Sequence, residues 1–187
     1  MRSLLSSWRS FLKDEDGTAT IEFLYTFPVV ITVFCAFLEA SFFMIRAVSL
    51  DRSVDLVVRD LRIGTLGAVS HWDLKGEICS RGAVLGSLED CRQALQIELT
   101  PIDTANFDMP TTPVVCRDRS VVIDPAVVPS EDEFSLGDSN QIMLMRVCLQ
   151  SDPMFPSTVW TSNLGETTDD GGYSIIVNST FVNEPRT

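Results

Sequence analysis

The stretch that decides the fold is Phe23 to Ile45, FLYTFPVVITVFCAFLEASFFMI, whose only charged residue is Glu39. As an α-helix it would be about 35 Å long, more than the ~30 Å hydrocarbon core of a bilayer. Each large apolar residue favours insertion by about 0.3–0.6 kcal/mol, whereas a charge costs about 3 kcal/mol at the centre and less near an end. The stretch therefore predicts a transmembrane segment over 23–45, with a buried helix of a soluble core as the alternative.

The residues that flank this segment predict its orientation. Arg2, Arg9 and Lys13 precede it closely, while Arg46 and Arg52 follow it. Because Lys and Arg accumulate on the cytoplasmic side, we expect the N-terminus in the cytoplasm and the C-terminal part exported.

The cysteines agree with export. Cys35 lies inside the apolar segment, and an even set of four follows it: Cys79, Cys91, Cys116 and Cys148. An exported domain with four cysteines predicts two disulfides, with four buried thiols as the alternative. Four cysteines allow three connectivities, and their spacing does not fit a zinc site.

Composition and charge disfavour several functional classes. The 187 residues carry a formal net charge of −12, and 45% of them are hydrophobic. An acidic chain without a basic cluster does not suit nucleic acid. The chain has a single histidine, His71. This disfavours a catalytic triad that needs a histidine and a metal site that needs several. We therefore expect no catalytic residues, no metal, no cofactor and no nucleic-acid partner.

The junction before the apolar segment is the most specific part of the sequence. Gly17 is followed by Thr18 and, five residues after the glycine, by Glu22 at the entrance of the apolar run. A secretory signal peptide has its cleavage site after the hydrophobic region, so this is a different kind of leader. The pattern resembles the prepilin motif of type IV pilins and pseudopilins, in which a peptidase cuts after the glycine and leaves the helix attached. An uncleaved signal anchor is the alternative.

Further residues resemble one branch of that family. Glu22-Phe23 with Pro28 six residues after the glutamate, and Glu39 late in the segment, are similar to TadE/TadF minor pilins of the tight-adherence (Flp) pilus. The tail around 143–147, 152–156 and 182–185 is similar to C-terminal patterns of these proteins. The long chain after the segment favours a minor component over the major pilus subunit.

This resemblance implies a function and a location. Processing would occur between Gly17 and Thr18, and Glu22 with Phe23 would guide assembly, the Glu22 carboxylate meeting the amino terminus of a neighbouring subunit. The partners would be other pilins and minor pilins, a prepilin peptidase, the inner-membrane assembly platform and the lipid bilayer. The protein would be a single-pass protein of the bacterial inner membrane with a periplasmic C-terminal domain. The alternative function is an uncleaved, membrane-anchored periplasmic binding or scaffold module.

The exported part predicts an α+β fold. Apolar residues at three- to four-residue intervals continue the long helix to about Ile63, unless Pro28 divides it in two. Ser70 and Ser87 open capping-box patterns that predict two short helices carrying Cys79 and Cys91. Strands are expected over 96–100, 120–123, 141–149 and 173–182, forming a small antiparallel sheet on the helix. A bridge between Cys79 and Cys91, with another between Cys116 and Cys148, fits this arrangement.

The predicted organisation is a cytoplasmic leader over 1–17, a long helix over 18–63 that includes the transmembrane segment, and an exported domain over 64–187. Glu39 lies near the outer end of the segment, so we expect it to reach lipid headgroups rather than make a contact inside the membrane. The acidic stretches 130–140 and 169–172 are expected to be solvated loops rather than calcium sites.

Overall fold

The structure is a computed structural model that describes residues 18–82, 84–106, 109–112, 114–117, 124, 129–130, 133–155 and 172–184. Within these described residues, three helices are followed by three strands. They are α1 (Thr18–Arg62), α2 (His71–Arg81), α3 (Leu88–Ala94), β1 (Leu95–Ile102), β2 (Ile142–Ser151) and β3 (Tyr173–Val182). This is the predicted α+β layout, with one long helix, two short helices and a small antiparallel sheet.

Tertiary contacts divide the chain into two units, one ending at Leu38 and the other beginning at Glu39. The boundary falls within α1, which continues through Pro28 as a single helix. Proline lacks the N–H that would bond to the carbonyl one turn earlier. The Thr32 hydroxyl donates to the Pro28 carbonyl at 2.7 Å. The two residues are four apart, the spacing at which neighbours meet in a continuous helix.

The C-terminus of α1 is closed by a Schellman motif around Gly64. Gly64 has a φ of 73°, in the left-handed region that favours glycine. Its N–H donates to the Leu61 carbonyl at 3.1 Å, and the Thr65 N–H donates to the Asp60 carbonyl at 3.0 Å. The helix therefore ends at Arg62, one residue before the expected Ile63.

Both short helices begin at the predicted serines. The Ser70 hydroxyl accepts a hydrogen bond from the Asp73 N–H, and the Ser87 hydroxyl accepts one from the Asp90 N–H. Each bond satisfies one of the N–H groups that the first turn of a helix leaves unpaired. The capping boxes thus fix where α2 and α3 start.

The sheet is an antiparallel meander in the order β1-β2-β3. Leu95 lies opposite Leu149 at one end of the first pair, and Ser151 lies opposite Tyr173 in the second. Residues 133–135 also contact β1. The Leu99 N–H donates to the Glu133 carbonyl, and the Leu99 carbonyl accepts from the Ser135 N–H. The strand expected over 120–123 lies outside the described residues.

The core joins one stripe of α1 to one face of the sheet. The α1 stripe recurs every three to four residues, as predicted, and the strands contribute alternate residues. The main members are Leu50, Val54, Val57, Leu61, Leu74, Ile78, Ile97, Leu99, Met143, Met145, Val147, Leu149, Tyr173 and Ile175. These helices and strands therefore form one hydrophobic core within the unit that begins at Glu39.

The opposite face of the sheet is tied to the segment around Cys116. Cys148 on β2 is fully buried and bonded to Cys116. Arg146, two residues earlier, forms an ion pair with Glu98 across the strand pair and donates to the Thr112 carbonyl at 2.6 Å. These contacts anchor the residues around Cys116, whose described part, 114–117, is neither helix nor strand.

Candidate functional site

The predicted processing site lies at the edge of the described residues. Gly17 is outside them, and Thr18, the first residue described, is helical. Glu22 is exposed, and its backbone carbonyl accepts from the Thr26 hydroxyl at 2.7 Å. Phe23 is also exposed and stacks on Phe27 with ring centroids 5.1 Å apart. Both predicted assembly residues are therefore uncovered by the described residues.

The part of α1 around and after Glu22 displays an apolar surface. Its exposed large residues are Ile21, Phe23, Leu24, Tyr25, Phe27, Val29, Val30, Ile31, Val33, Phe34 and Phe37. So large an uncovered apolar surface marks a contact with lipid or with other proteins. From Thr20 to Leu38 the helix is about 28 Å long, close to the ~30 Å of a hydrocarbon core. By length and composition, α1 could span a membrane.

Glu39 has a different environment from the one expected for it. Its side chain is completely buried, and Oε2 accepts hydrogen bonds from the N–H groups of Met154 and Phe155, at 2.9 and 3.1 Å. The expectation that Glu39 reaches lipid headgroups is therefore wrong. The physical reason is that the chain after β2 returns to α1 and directs two backbone donors at this carboxylate.

Arg46, two turns further along α1, holds the same return segment. Its Nη1 donates to the Ser151 hydroxyl at 2.6 Å, the Asp152 carbonyl at 2.9 Å and the Tyr173 hydroxyl at 2.8 Å. Phe43 packs edge-on against the Tyr173 ring, with centroids 5.2 Å apart. We call Glu39, Arg46 and the residues 151–155 that they bind the clasp.

The clasp divides the segment predicted to span a membrane. The segment predicted over 23–45 extends beyond the unit boundary, because the helix from Glu39 onward belongs to the folded domain. Beyond Glu39 one side of the helix packs in that domain through Phe43 and Ala47, while Met44, Ile45 and Val48 stay exposed. Sequence reasoning missed this because a run of apolar residues does not distinguish lipid contact from packing against a domain.

The four cysteines after the span form two disulfides in the structure. Cys79 on α2 bonds to Cys91 on α3, and Cys116 bonds to Cys148 on β2. This is one of the three connectivities that the sequence left open. Cys35 is the free cysteine, and it is partly buried on α1.

His71 is used in packing. Its Nε2 lies 3.2 Å from the Ile97 carbonyl, and its ring meets Phe134 edge-on at 5.1 Å. Burial lowers its pKa to about 4, and the nearby Lys75 charge acts in the same direction. A histidine held neutral against a carbonyl contributes to the core rather than exchanging protons near neutral pH.

Lys75 is the buried charge that sequence reasoning missed. Its side chain is 1% exposed, and burial lowers its pKa to about 8. The Arg117 charge acts on this pKa in the same direction as burial, whereas the Glu133 charge acts in the opposite direction. The capping box predicts where α2 starts. A helical projection from that start places Leu74 and Ile78 on the core side, and it could have shown Lys75 beside them.

Among the described residues, no group of three or more His, Cys, Asp or Glu side chains could hold a metal ion. In the acidic stretch 130–140, Glu133 accepts from Gln96, and the Asp138 N–H donates to the Gln141 side chain at 2.8 Å. Asp169, Asp170 and Gly171 lie outside the described residues.

Comparison of the chain with protein-family models, with curated proteins and with solved structures gives no match.

Proposed function

We propose that this chain is a minor pilin or pseudopilin that takes part in the assembly of a tight-adherence pilus. It is made as a single-pass inner-membrane protein, with its N-terminus in the cytoplasm and its C-terminal domain in the periplasm. A prepilin peptidase removes residues 1–17, and the mature chain begins at Thr18. Its role is structural rather than catalytic.

The observation that carries this proposal is the arrangement of α1. Among the described residues, which start at Thr18, the helix presents an exposed Glu22 and then an uncovered apolar surface up to Phe37. A carboxylate at the edge of a bilayer requires a partner. The amine created by cleavage before Thr18 on a neighbouring subunit has the charge to be that partner.

The folded domain supports export. Two disulfides staple it, as is common in small domains of oxidising compartments. Its first residue by tertiary contacts is Glu39, which places a compact fold directly after the apolar surface. Other pilins, the prepilin peptidase and the inner-membrane platform are the partners that this arrangement suits.

The proposal is tested by pilus assembly in cells that lack this protein. Wild-type chain should restore pili, measured as the major subunit sheared from the cell surface, and Glu22→Gln should restore few or none. Asp51→Asn is the matched control, because Asp51 is also an exposed acid on α1 but lies in the folded unit.

Two results would contradict the proposal. Cells without the protein could assemble normal pili, or Glu22→Gln could restore them as fully as Asp51→Asn does. The second result together with an intact leader would favour the uncleaved, membrane-anchored module instead.

A further inference from the structure

The folded unit has an apolar edge at its first residues. The unit begins at Glu39, directly after Leu38, and the clasp brings residues 153–155 to Glu39. We call residues 153–155 the clasp tip. Met154, the middle residue of the tip, is 50% exposed, and Met44 on α1 is 61% exposed. This edge therefore presents large apolar side chains both from the clasp tip and from the helix.

Every backbone N–H group of the clasp tip is accounted for. Pro153 has no N–H, and those of Met154 and Phe155 both donate to Oε2 of Glu39, at 2.9 and 3.1 Å. A segment outside helices and sheets needs such partners wherever water is scarce, because an unpaired backbone donor is costly in an apolar medium. The N–H groups of the tip are therefore satisfied without water.

The charge of Glu39 is shielded at this edge. Its side chain is completely buried, although Met154, whose N–H it binds, is half-exposed. A carboxylate in contact with lipid would be costly, whereas a methionine side chain favours an apolar environment. The exposed group at the clasp tip is thus an apolar side chain rather than the acid that holds it.

The place of the clasp tip along α1 corresponds to the outer boundary of a bilayer. This step rests on the proposed function, in which α1 crosses the membrane and Glu22 marks its inner edge. A helix needs about 20 residues to cross a hydrocarbon core, so a span counted from Glu22 ends at about residue 42. The tip contacts Glu39, just before this point, and Met44 follows just after it.

We propose that the clasp tip is a lipid contact, with the Met154 side chain at the boundary of the hydrocarbon core in the periplasmic leaflet. Glu39 is the acceptor that keeps the N–H groups of the tip hydrogen-bonded at this depth. The occupant is lipid because the edge directly follows the uncovered apolar surface of α1, which is about as long as the core is thick. The folded domain then contacts the membrane through the clasp tip as well as through α1.

The test is methyl NMR of the methionine side chains in the full chain, with one chain per lipid nanodisc. Met109 is the matched control, because it is 57% exposed and follows Ile102, at the end of β1 away from the clasp. A lipid with a nitroxide near the start of its acyl chain should broaden the Met154 and Met44 signals and leave that of Met109 sharp. A gadolinium chelate confined to water should do the reverse and broaden Met109 more than Met154.

Two variants assign the signals. Met154→Leu and Met109→Leu should each remove one methionine signal and leave the fold intact, because leucine is also apolar and both positions are exposed. A second nitroxide lipid, labelled at the end of its acyl chain, reports on the bilayer centre. It should broaden the amide signal of Val33, which lies midway along the proposed span.

The outcomes separate this proposal from the proposed function. A broadened Val33 signal, with Met154 as sharp as Met109 in the first nitroxide lipid, would overturn the lipid contact and leave the span intact. Equal broadening of Met154 and Met109 by the gadolinium chelate would overturn it as well. If Val33 is not broadened, the span itself fails, and the lipid contact fails with it. A Met154 signal that changes only in discs with two chains would assign the edge to a second copy, against the proposal.

Discussion

At the residue scale, Glu39 is the side chain whose position contributes most to the account. Its sequence context, near the end of a long apolar run, favours an interfacial role. In the structure it accepts from two backbone N–H groups that lie 115 and 116 residues later in the chain. Backbone donors carry no sequence pattern, so such a partnership is invisible before the fold is known.

We predict that Glu39→Ala destabilises the folded domain by about 2–4 kcal/mol, because two partly buried N–H groups lose their buried acceptor. Glu39→Gln should cost less, since its amide oxygen can still accept. The measurement is chemical unfolding of the full chain in detergent, followed by a signal from the domain. Asp51→Ala, at an exposed position of the same helix, should have little effect. Equal stability of Glu39→Ala and wild type would show that the clasp does not hold the domain together.

Lys75 leads to a prediction about pH. Its pKa is about 8 in the folded chain, against 10.5 for an ordinary lysine. Between these values the unfolded chain holds a proton that the folded chain has released, so stability rises with pH over this window. Below pH 8 both states hold the proton, and this contribution does not change.

Lys75→Met should remove that rise and should increase stability near neutral pH, because it no longer buries a charged group. The measurement is the free energy of unfolding at about pH 7 and about pH 10. Lys13→Met is the control, because Lys13 is the other lysine of the chain. A rise of equal size in Lys75→Met would assign the pH dependence to other groups.

At the element scale, local sequence patterns account for most of the boundaries. The serine caps start α2 and α3, Gly64 ends α1, and the run of strand-forming residues over 173–182 coincides with β3. These features are predictable because each depends on neighbouring residues alone. The start of the folded unit at Glu39, within the apolar run, was not predictable, because it depends on which distant segment packs against the helix.

The end of α1 gives a direct test of one such pattern. Gly64→Ala should cost about 1–2 kcal/mol, because a left-handed φ places a β-carbon against the backbone. Gly64→Asn should cost less, since asparagine tolerates this region better. Thermal unfolding of the two variants measures the difference. No loss in Gly64→Ala would mean that the helix ends in another way.

The two disulfides should differ in their contribution to stability. The Cys79–Cys91 bridge has a sequence separation of 12 and the Cys116–Cys148 bridge one of 32. The loop-entropy relation gives about 3 and about 4 kcal/mol respectively. Double serine variants of each pair, compared by chemical unfolding, should therefore lose more stability for Cys116 and Cys148. The reverse order would show that packing around α2 and α3 outweighs loop entropy.

At the scale of the whole molecule, one helix contributes to two different environments. Up to Leu38 its large side chains are exposed, and from Leu50 to Leu61 its apolar stripe is part of a closed core. Composition and periodicity predicted this division between an apolar segment and an α+β domain. They could not predict the buried Lys75 or the backbone partners of Glu39, which depend on how distant elements meet.

The central claim is that the chain is a processed minor pilin, and its N-terminus tests that claim most directly. The measurement is intact mass together with N-terminal sequencing of the protein from native membranes and from sheared pili, in cells with an active prepilin peptidase. We predict a mature chain that begins at Thr18. A chain that still begins at Met1 would contradict the claim.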